Sequence, residues 1–180
     1  MKNYFIIHGS FGHNKENWFP WLENKLKEQG FEVFNFNYPT PQEQNFENWS
    51  KVLDSVRDKI NEESIFVCHS IAPIFLIKYI LSNKIKIRKL ISVCGFNNYI
   101  GGHPEFDNIN KFMFVNDVSN FKNLCKERIC FYSKDDPYIK FENAHKFAQS
   151  IDAKEIIYIN AGHFNERSGF LTFEDIIKYL

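Results

Sequence analysis

The chain has 180 residues, and its 22 lysines and arginines equal its 22 aspartates and glutamates. This length fits one domain, over residues 1–180, that buries roughly 70% of its unfolded surface. A net charge of zero provides no field of one sign to attract nucleic acid or an anionic membrane, so we expect neither as a partner. The four cysteines have no CxxC spacing, which predicts reduced, buried thiols.

The chain opens with a short apolar run. Only four apolar residues in a row precede His8, and no small-residue cleavage site follows. This pattern is typical of a strand and not of a signal peptide, and it predicts a cytoplasmic protein.

Six apolar runs alternate with helical patterns along the chain. The predicted strands cover residues 4–7, 31–37, 64–69, 89–94, 128–132 and 155–159. The predicted helices cover about 16–29, 46–61, 72–83, 117–126, 141–150 and 171–180. This alternation predicts an α/β fold with a mostly parallel sheet and helices on both faces. Residues 95–116, rich in Gly and Asn, are predicted to be a loop or a small excursion, either a substrate-facing flap or a solvated connection.

Ser70 stands at a predicted strand-to-helix turn. Such a turn holds a hydroxyl clear of the sheet when the residues two positions away are small, as Cys68 and Ala72 are. Pro73 fits the first turn of the following helix, where a missing N–H is no loss. These features predict that Ser70 is a nucleophile, with the Ile71 N–H directed at a developing oxyanion.

A base and an acid follow in the chain order Ser, Asp, His, which is the order of α/β-hydrolases. His163 comes directly after the last predicted strand and can accept the proton of the serine hydroxyl. Asp135 and Asp136 follow the fifth strand, and one carboxylate there can orient the imidazole. Asp136 is favoured because Pro137 fixes the turn after it, and Asp135 remains the alternative.

A second oxyanion donor is predicted on the loop after the first strand. Glycines at 9 and 12 bracket this loop, so backbone N–H groups can approach a substrate carbonyl. Ser10 or Phe11 is expected to provide the N–H. The loop lacks both the GxxxxGK[ST] and the GxGxxG patterns, which argues against a nucleotide cofactor.

A metal site is the competing interpretation of the same edge. Its ligands would be His8, His69, His163 and Asp136, but no histidines are spaced i, i+4 as metal-binding helices require. We therefore expect no metal and no other cofactor.

The chain resembles the small serine hydrolases of the retinoblastoma-binding protein 9 family over nearly its whole length. The matching segments are His8-Gly9, Trp18-Phe19-Pro20-Trp21-Leu22, Tyr38-Pro39, His69-Ser70, residues 133–138 and Gly162-His163-Phe164-Asn165. The resemblance implies a minimal α/β-hydrolase without a lid domain, a strand order of 2-1-3-4-5-6 and a Ser70–Asp136–His163 triad. The family usually has glycine two residues before the serine, where this chain has Cys68.

The implied activity is hydrolysis of a small-molecule acyl substrate, a carboxylic ester or alternatively a thioester or amide. Aromatic residues near the motifs predict a mostly apolar substrate pocket, with Phe11, Phe96, Tyr138 and Phe164 as candidates. The alternative function is a hydrolase fold with little turnover that serves as a binding or regulatory module.

Overall fold

A six-stranded parallel sheet forms the centre of the molecule. The computed structural model describes residues 2–180. The strands are β1 (Asn3–Ile7), β2 (Glu32–Asn35), β3 (Ile65–His69), β4 (Ile87–Val93), β5 (Cys125–Ser133) and β6 (Lys154–Tyr158). Their order across the sheet is β2-β1-β3-β4-β5-β6, and every adjacent pair is parallel. The predicted fold class and strand order are confirmed.

In the described part of the chain, five α-helices connect or flank these strands. They are α1 (Phe19–Glu28), α2 (Phe46–Asp54), α3 (Ala72–Asn83), α4 (Pro104–Asn110) and α5 (Phe141–Ser150). The last predicted helix is a 3-10 helix over Glu174–Tyr179. Among residues 2–180, no helix has the length and apolar character needed to cross a bilayer.

Two of the predicted helices differ from the structure. The helix predicted over 117–126 is a 3-10 helix over Ser119–Asn123, because β5 begins at Cys125, which pairs with Ile87 of β4. Residues 125 and 126 therefore belong to a strand and cannot extend the helix. The helix predicted over 46–61 ends at Asp54, and a 3-10 turn follows over Arg57–Lys59.

Alternate residues of the central strands β1, β3 and β4 are buried against opposite layers, as the two-residue period of a strand requires. On one face of the sheet, Phe5 and Phe66 stack with ring centroids 4.4 Å apart. The helices α2, α3 and α5 pack on this face. Tyr4 and Ile65 point to the other face, where α1 and the C-terminal segment pack. Both faces of the sheet are therefore covered, and the loops at its edges are left to build a site.

Residues 97–115, here called the excursion, contain a helix that the sequence did not predict. The Asn97 side chain donates to the Val115 carbonyl at 2.7 Å and accepts from the Val115 N–H at 2.9 Å, so the two ends of the excursion are held together. Asp107 of α4 accepts hydrogen bonds from the N–H groups of Ile100 and Gly101. These contacts stabilise a helix of only seven residues, which has little stability alone.

Phe75 on α3 tests the packing of the helix that follows the serine. Its buried ring contacts the rings of Tyr38 and Trp49, with centroids 5.9 Å and 5.1 Å away. We expect Phe75→Ala to lower the free energy of unfolding by about 3–5 kcal/mol, since it removes a large core side chain and leaves a cavity. Urea unfolding measures this change.

Phe112→Ala is the matched control, because this ring is 52% exposed. It should change the free energy of unfolding by less than about 0.5 kcal/mol. Equal effects of the two substitutions would contradict this description of the core.

Candidate active site

Ser70 lies in a sharp turn between β3 and α3. Its φ is +62°, in the left-handed region that costs energy for any residue except glycine. The Ser70 N–H donates to the Val93 carbonyl at 2.8 Å, which ties the turn to β4. The helix α3 begins two residues later, at Ala72, with Pro73 in its first turn. The turn therefore has the strand-to-helix geometry that the sequence predicted.

The residue opposite Ser70 must be glycine. A Cβ at Gly9 would lie 2.7 Å from the Ser70 Cβ and 3.3 Å from its Oγ. Contacts of 2.7 Å are not tolerated in folded proteins, so the loop after β1 can approach the serine this closely only without a side chain. This approach brings the two loops together at the reacting group.

Cys68 occupies the position where related turns have glycine. Its side chain is completely buried among core residues. Burial raises the pKa of the Cys68 thiol well above its ordinary value, so the thiol stays protonated. The cysteine acts as a small apolar residue beneath the turn, which forms in spite of its extra bulk.

His163 and Asp136 form a buried pair at the carboxyl ends of β5 and β6. The His163 Nδ1 donates to the Asp136 Oδ2 at 2.7 Å, and the carboxylate side chain is only 2% exposed. Burial alone would raise the pKa of Asp136. The hydrogen bond and charge of His163, together with two backbone N–H groups, have the larger effect, so the pKa lies below its ordinary value. Asp136 is therefore ionised. In the neutral imidazole with its proton on Nδ1, the Nε2 lone pair can accept a proton.

Asp136 is also fixed by the backbone that follows it. Its Oδ1 accepts hydrogen bonds from the N–H groups of Tyr138 at 2.9 Å and Ile139 at 3.0 Å. One oxygen thus fixes the carboxylate to its turn, and the other orients His163.

Asp135 has a different set of contacts. Its Oδ1 accepts from the Ser133 hydroxyl at 2.5 Å and from the N–H groups of Ala161 and Gly162 at 3.1 Å and 2.8 Å. The Ser133 hydrogen bond, with the Gly162 N–H, lowers the pKa of Asp135. The structure brings Asp136 to the imidazole, while Asp135 fastens the loop that carries His163.

His69 supports His163 from behind. Its Nε2 donates to the His163 carbonyl at 2.9 Å, and the two ring centroids are 4.8 Å apart. Burial, and next the charge of His163, lower the pKa of His69 to about 3. His69 is therefore neutral near pH 7 and acts as a hydrogen-bond donor.

His8 is separate from this cluster and serves the first loop. Its Nδ1 donates to the Gly9 carbonyl at 2.8 Å, and its Nε2 accepts from the Tyr38 N–H at 2.9 Å. Burial lowers the pKa of His8 to about 4. Both ring nitrogens are used, so His8 has no lone pair left for a metal or a substrate.

Within residues 2–180, possible metal ligands come together at His69, Cys94 and His163, whose ligand atoms all lie within 4.8 Å of one another. This set fits a metal poorly. Burial raises the pKa of the Cys94 thiol well above its ordinary value, whereas metals bind the thiolate. The Nδ1 of His163 is committed to Asp136. His69 instead holds the His163 loop through the His163 carbonyl.

Two of the three predicted oxyanion donors have an N–H group that is free within residues 2–180. Among residues 2–180, the N–H groups of Ile71 and Ser10 have no hydrogen-bond acceptor. The prediction that Phe11 is an alternative donor is wrong, because its N–H donates to the Thr40 Oγ1 at 2.8 Å. Ser10 is the remaining candidate on this loop.

Ser70 and His163 open into one cavity of about 1040 Å³. Of the predicted pocket residues, Phe11 and Tyr138 line it. Phe96 and Phe164 do not, and this part of the prediction is wrong. Both rings are completely buried, Phe96 against Phe106 and Phe164 against Phe173. Their apolar surface is used for core packing, and aromatic character alone did not distinguish the two uses.

Charged residues of the cavity wall were not predicted. They lie in the loop after β1, in α4 and in the 3-10 turn after His163, and no motif marks them: Glu16, Glu105, Glu166 and Arg167. The excursion also contributes Pro104 and Phe106, so it faces the cavity. Of the two interpretations of residues 95–116, the cavity lining favours the substrate-facing one.

The pKa of His69 yields a prediction for stability. Because the unfolded histidine binds a proton near pH 6.5 and the folded one only near pH 3, stability is lost as pH falls through this window. We expect His69→Gln to make the fall in the free energy of unfolding between pH 6 and 4 shallower by about 1.4 kcal/mol per pH unit. Urea unfolding at several pH values measures this slope. An unchanged slope would show that folded His69 binds a proton above this window.

Known proteins are similar to this chain in sequence and in fold over nearly its whole length. The chain is similar to YdeN of Bacillus subtilis (strain 168), with 28% identity over 183 residues that cover 99% of this chain and 94% of YdeN. The crystal structure of the B. subtilis ydeN gene product superposes with a TM-score of 0.90 at 25% identity, covering 99% of this chain and 96% of that one.

Two further proteins extend the comparison, one by sequence and one by fold alone. Serine hydrolase RBBP9 of Rattus norvegicus is 24% identical over 162 residues, which cover 89% of this chain and 83% of RBBP9. The esterase EaEST of Exiguobacterium antarcticum shares the fold, with a TM-score of 0.68, 15% identity and coverage of 98% and 91%. The family profile described as serine hydrolase matches residues 4–180. Since this match spans nearly the entire chain, the protein belongs to the serine hydrolase family and is a hydrolase.

Proposed function

We propose that the protein hydrolyses small carboxylic esters through a Ser70–His163–Asp136 triad and an acyl-enzyme. The observation that carries the proposal is the 2.7 Å hydrogen bond from His163 to a buried, ionised carboxylate, at the cavity that Ser70 also lines. A serine held with left-handed backbone, a histidine with one nitrogen free and a fixed carboxylate are the three parts that this chemistry needs.

The first step is acylation. The Nε2 of His163 accepts the proton of the Ser70 hydroxyl while Oγ attacks the acyl carbon of the ester. Asp136 keeps the Nδ1 proton in place and stabilises the imidazolium that forms. His163 then gives its proton to the leaving alcohol oxygen, and the acyl group stays on Ser70. In the second step His163 accepts a proton from a water molecule while the water oxygen attacks the acyl carbon. His163 then returns the proton to the Ser70 Oγ, and the acyl group leaves as the carboxylic acid.

Negative charge develops on the carbonyl oxygen in both steps. The free N–H groups of Ile71 and Ser10 are the donors for it, and the N-terminus of α3 adds the positive end of a helix dipole. Neither donor needs to break another hydrogen bond first, so the site is organised before substrate binds.

The cavity supports a small ester as the substrate. Its volume of about 1040 Å³ is at the upper end of the range for small-molecule sites. Phe11 and Phe106, whose rings are stacked with centroids 6.2 Å apart, form an apolar wall for an acyl or alcohol chain. The esterase EaEST, with the same fold, is a precedent for this reaction on such a scaffold.

Ser70→Ala is the direct test of the nucleophile. We expect it to abolish labelling by a fluorophosphonate and to lower kcat for p-nitrophenyl butyrate by about 10³-fold or more, because it removes the attacking oxygen. Intact-mass measurement and release of p-nitrophenol give the two readouts.

Ser82→Ala is the matched control, an exposed serine on α3 whose loss should leave both readouts unchanged. Folded wild-type protein that neither reacts with the fluorophosphonate nor hydrolyses the ester would overturn the proposal and favour a binding role for the fold.

Substitution of each of the two neighbouring aspartates tests one role, which is either the orientation of the base His163 or the support of the loop that carries it. Asp136→Asn should lower kcat by about 10³-fold or more, since an amide favours the wrong imidazole tautomer. Asp135→Asn should lower it by less than about tenfold, since its amide oxygen can still accept from the loop N–H groups. Steady-state kinetics on both variants decide the matter, and the reverse ranking would contradict the assignment of Asp136.

A further inference from the structure

A buried polar cluster lies beside the first oxyanion loop. Its members are the side chains of Ser10, Thr40, Gln44 and Asn110, here called the Asn110 network. The Ser10 hydroxyl donates to the Asn110 Oδ1 at 2.6 Å, and the Gln44 Nε2 donates to the same oxygen at 2.8 Å. The Gln44 Nε2 also donates to the Ser10 Oγ at 2.8 Å, which closes a triangle of hydrogen bonds.

The network continues to the backbone of the loop. The Thr40 hydroxyl donates to the Gln44 Oε1 at 2.6 Å and accepts from the Phe11 N–H at 2.8 Å. Phe11 is held with a φ of +60°, in the left-handed region that a phenylalanine rarely adopts. The network therefore restrains the loop on both sides of the Ser10–Phe11 peptide, once through a side chain and once through the backbone.

The centre of the network is buried, which restricts its movement, whereas Ser10 and Thr40 are half-buried. Asn110 is completely buried and Gln44 is 5% exposed. Hydrogen bonds in such a low-dielectric environment are stronger than in water. The Asn110 Nδ2 is buried without a hydrogen-bond partner among residues 2–180, so Asn110 holds the network through its Oδ1 alone. The four residues come from three distant parts of the chain, and Asn110 is the one that lies in the excursion. Among the hydrogen bonds of residues 2–180, none joins Asn110 to Ser70, His163 or Asp136.

These contacts fix the position of Ser10, and the rate of the proposed reaction depends on that position. Ser10 has the N–H without an acceptor at the cavity, and oxyanion donors act only when they are placed correctly within fractions of an ångström. Fixing the Ser10 side chain from behind fixes the orientation of its own peptide group.

We propose that Asn110 is a positioning residue that orients the Ser10 N–H toward the oxyanion, acting through the Ser10 hydroxyl and Gln44. The inference rests on the proposed ester hydrolysis and assigns to the excursion a role in the chemical step. Asn110 touches no reacting atom. Its loss should weaken binding of the transition state while leaving binding of the ground state unchanged.

The experiment compares wild type, Asn110→Ala and the control Asn108→Ala with p-nitrophenyl butyrate. Asn108 lies on the same helix, but its side chain is exposed and outside the network. We expect Asn110→Ala to lower kcat by about 10- to 100-fold with KM within about twofold of wild type, and Asn108→Ala to change neither.

A second readout separates positioning from a general loss of structure. An alkyl trifluoromethyl ketone forms a tetrahedral adduct with an activated serine and places an oxyanion in the site, whereas butyrate, the product, does not. Asn110→Ala should weaken inhibition by the ketone by about the same factor as kcat and leave inhibition by butyrate unchanged. Equal weakening of both inhibitors would overturn the proposal.

Ser10→Ala provides the test if Asn110→Ala does not fold. This substitution removes the hydroxyl through which Asn110 acts but keeps the backbone N–H, on a loop at the surface. It should also lower kcat with little change in KM, and the double variant should lose less than the product of the two single losses. A Ser10→Ala enzyme with wild-type kcat would overturn the proposal.

The failures of the two proposals are distinguishable. Wild type that hydrolyses the ester in a Ser70-dependent way, together with Asn110→Ala at the same kcat, overturns the role of Asn110 alone. Wild type without Ser70-dependent hydrolysis overturns both.

Discussion

The register between β1 and β3 is the constraint on which the rest of the site depends. Ile7 pairs with Cys68, so the residues two positions later, Gly9 and Ser70, leave the sheet at the same level. A side chain at Gly9 would clash with the serine. A shift of the pairing by one residue would also exchange the buried faces of these strands, so the core that stabilises the fold fixes the approach of the two loops.

The loops after β5 and β6 are held by several side chains, each of which has its own contact. Asp136 orients the imidazole, Asp135 ties down the loop that carries it, and His69 holds the same loop through the His163 carbonyl. Three side chains therefore converge on His163, and burial keeps His69 neutral so that it remains a donor. This support is needed because a loop histidine has many rotamers, and a general base is effective only when it lies within hydrogen-bond reach of the proton it removes.

The fold and the residues at the strand ends could be predicted because their signals are local. Apolar runs and turn residues predicted the six strands, and Ser70, Asp136 and His163 each lie within four residues of the end of such a run. The cavity wall could not be predicted in the same way. Phe96 and Phe164 have the composition of pocket residues but are buried in the core, and the contact between Ser10 and Asn110 joins positions 100 residues apart. Such contacts depend on how the excursion packs, for which the sequence has no periodic pattern.

The most direct test of the account is the detection of an acyl-enzyme. Wild-type protein is mixed with p-nitrophenyl butyrate, quenched with acid during turnover and digested, and the peptides are analysed by mass spectrometry. The account predicts that one butyryl group is found on the peptide that carries Ser70, and that it disappears as the substrate is consumed. Ester hydrolysis with no acyl group at Ser70, or with the acyl group on another residue, would contradict it.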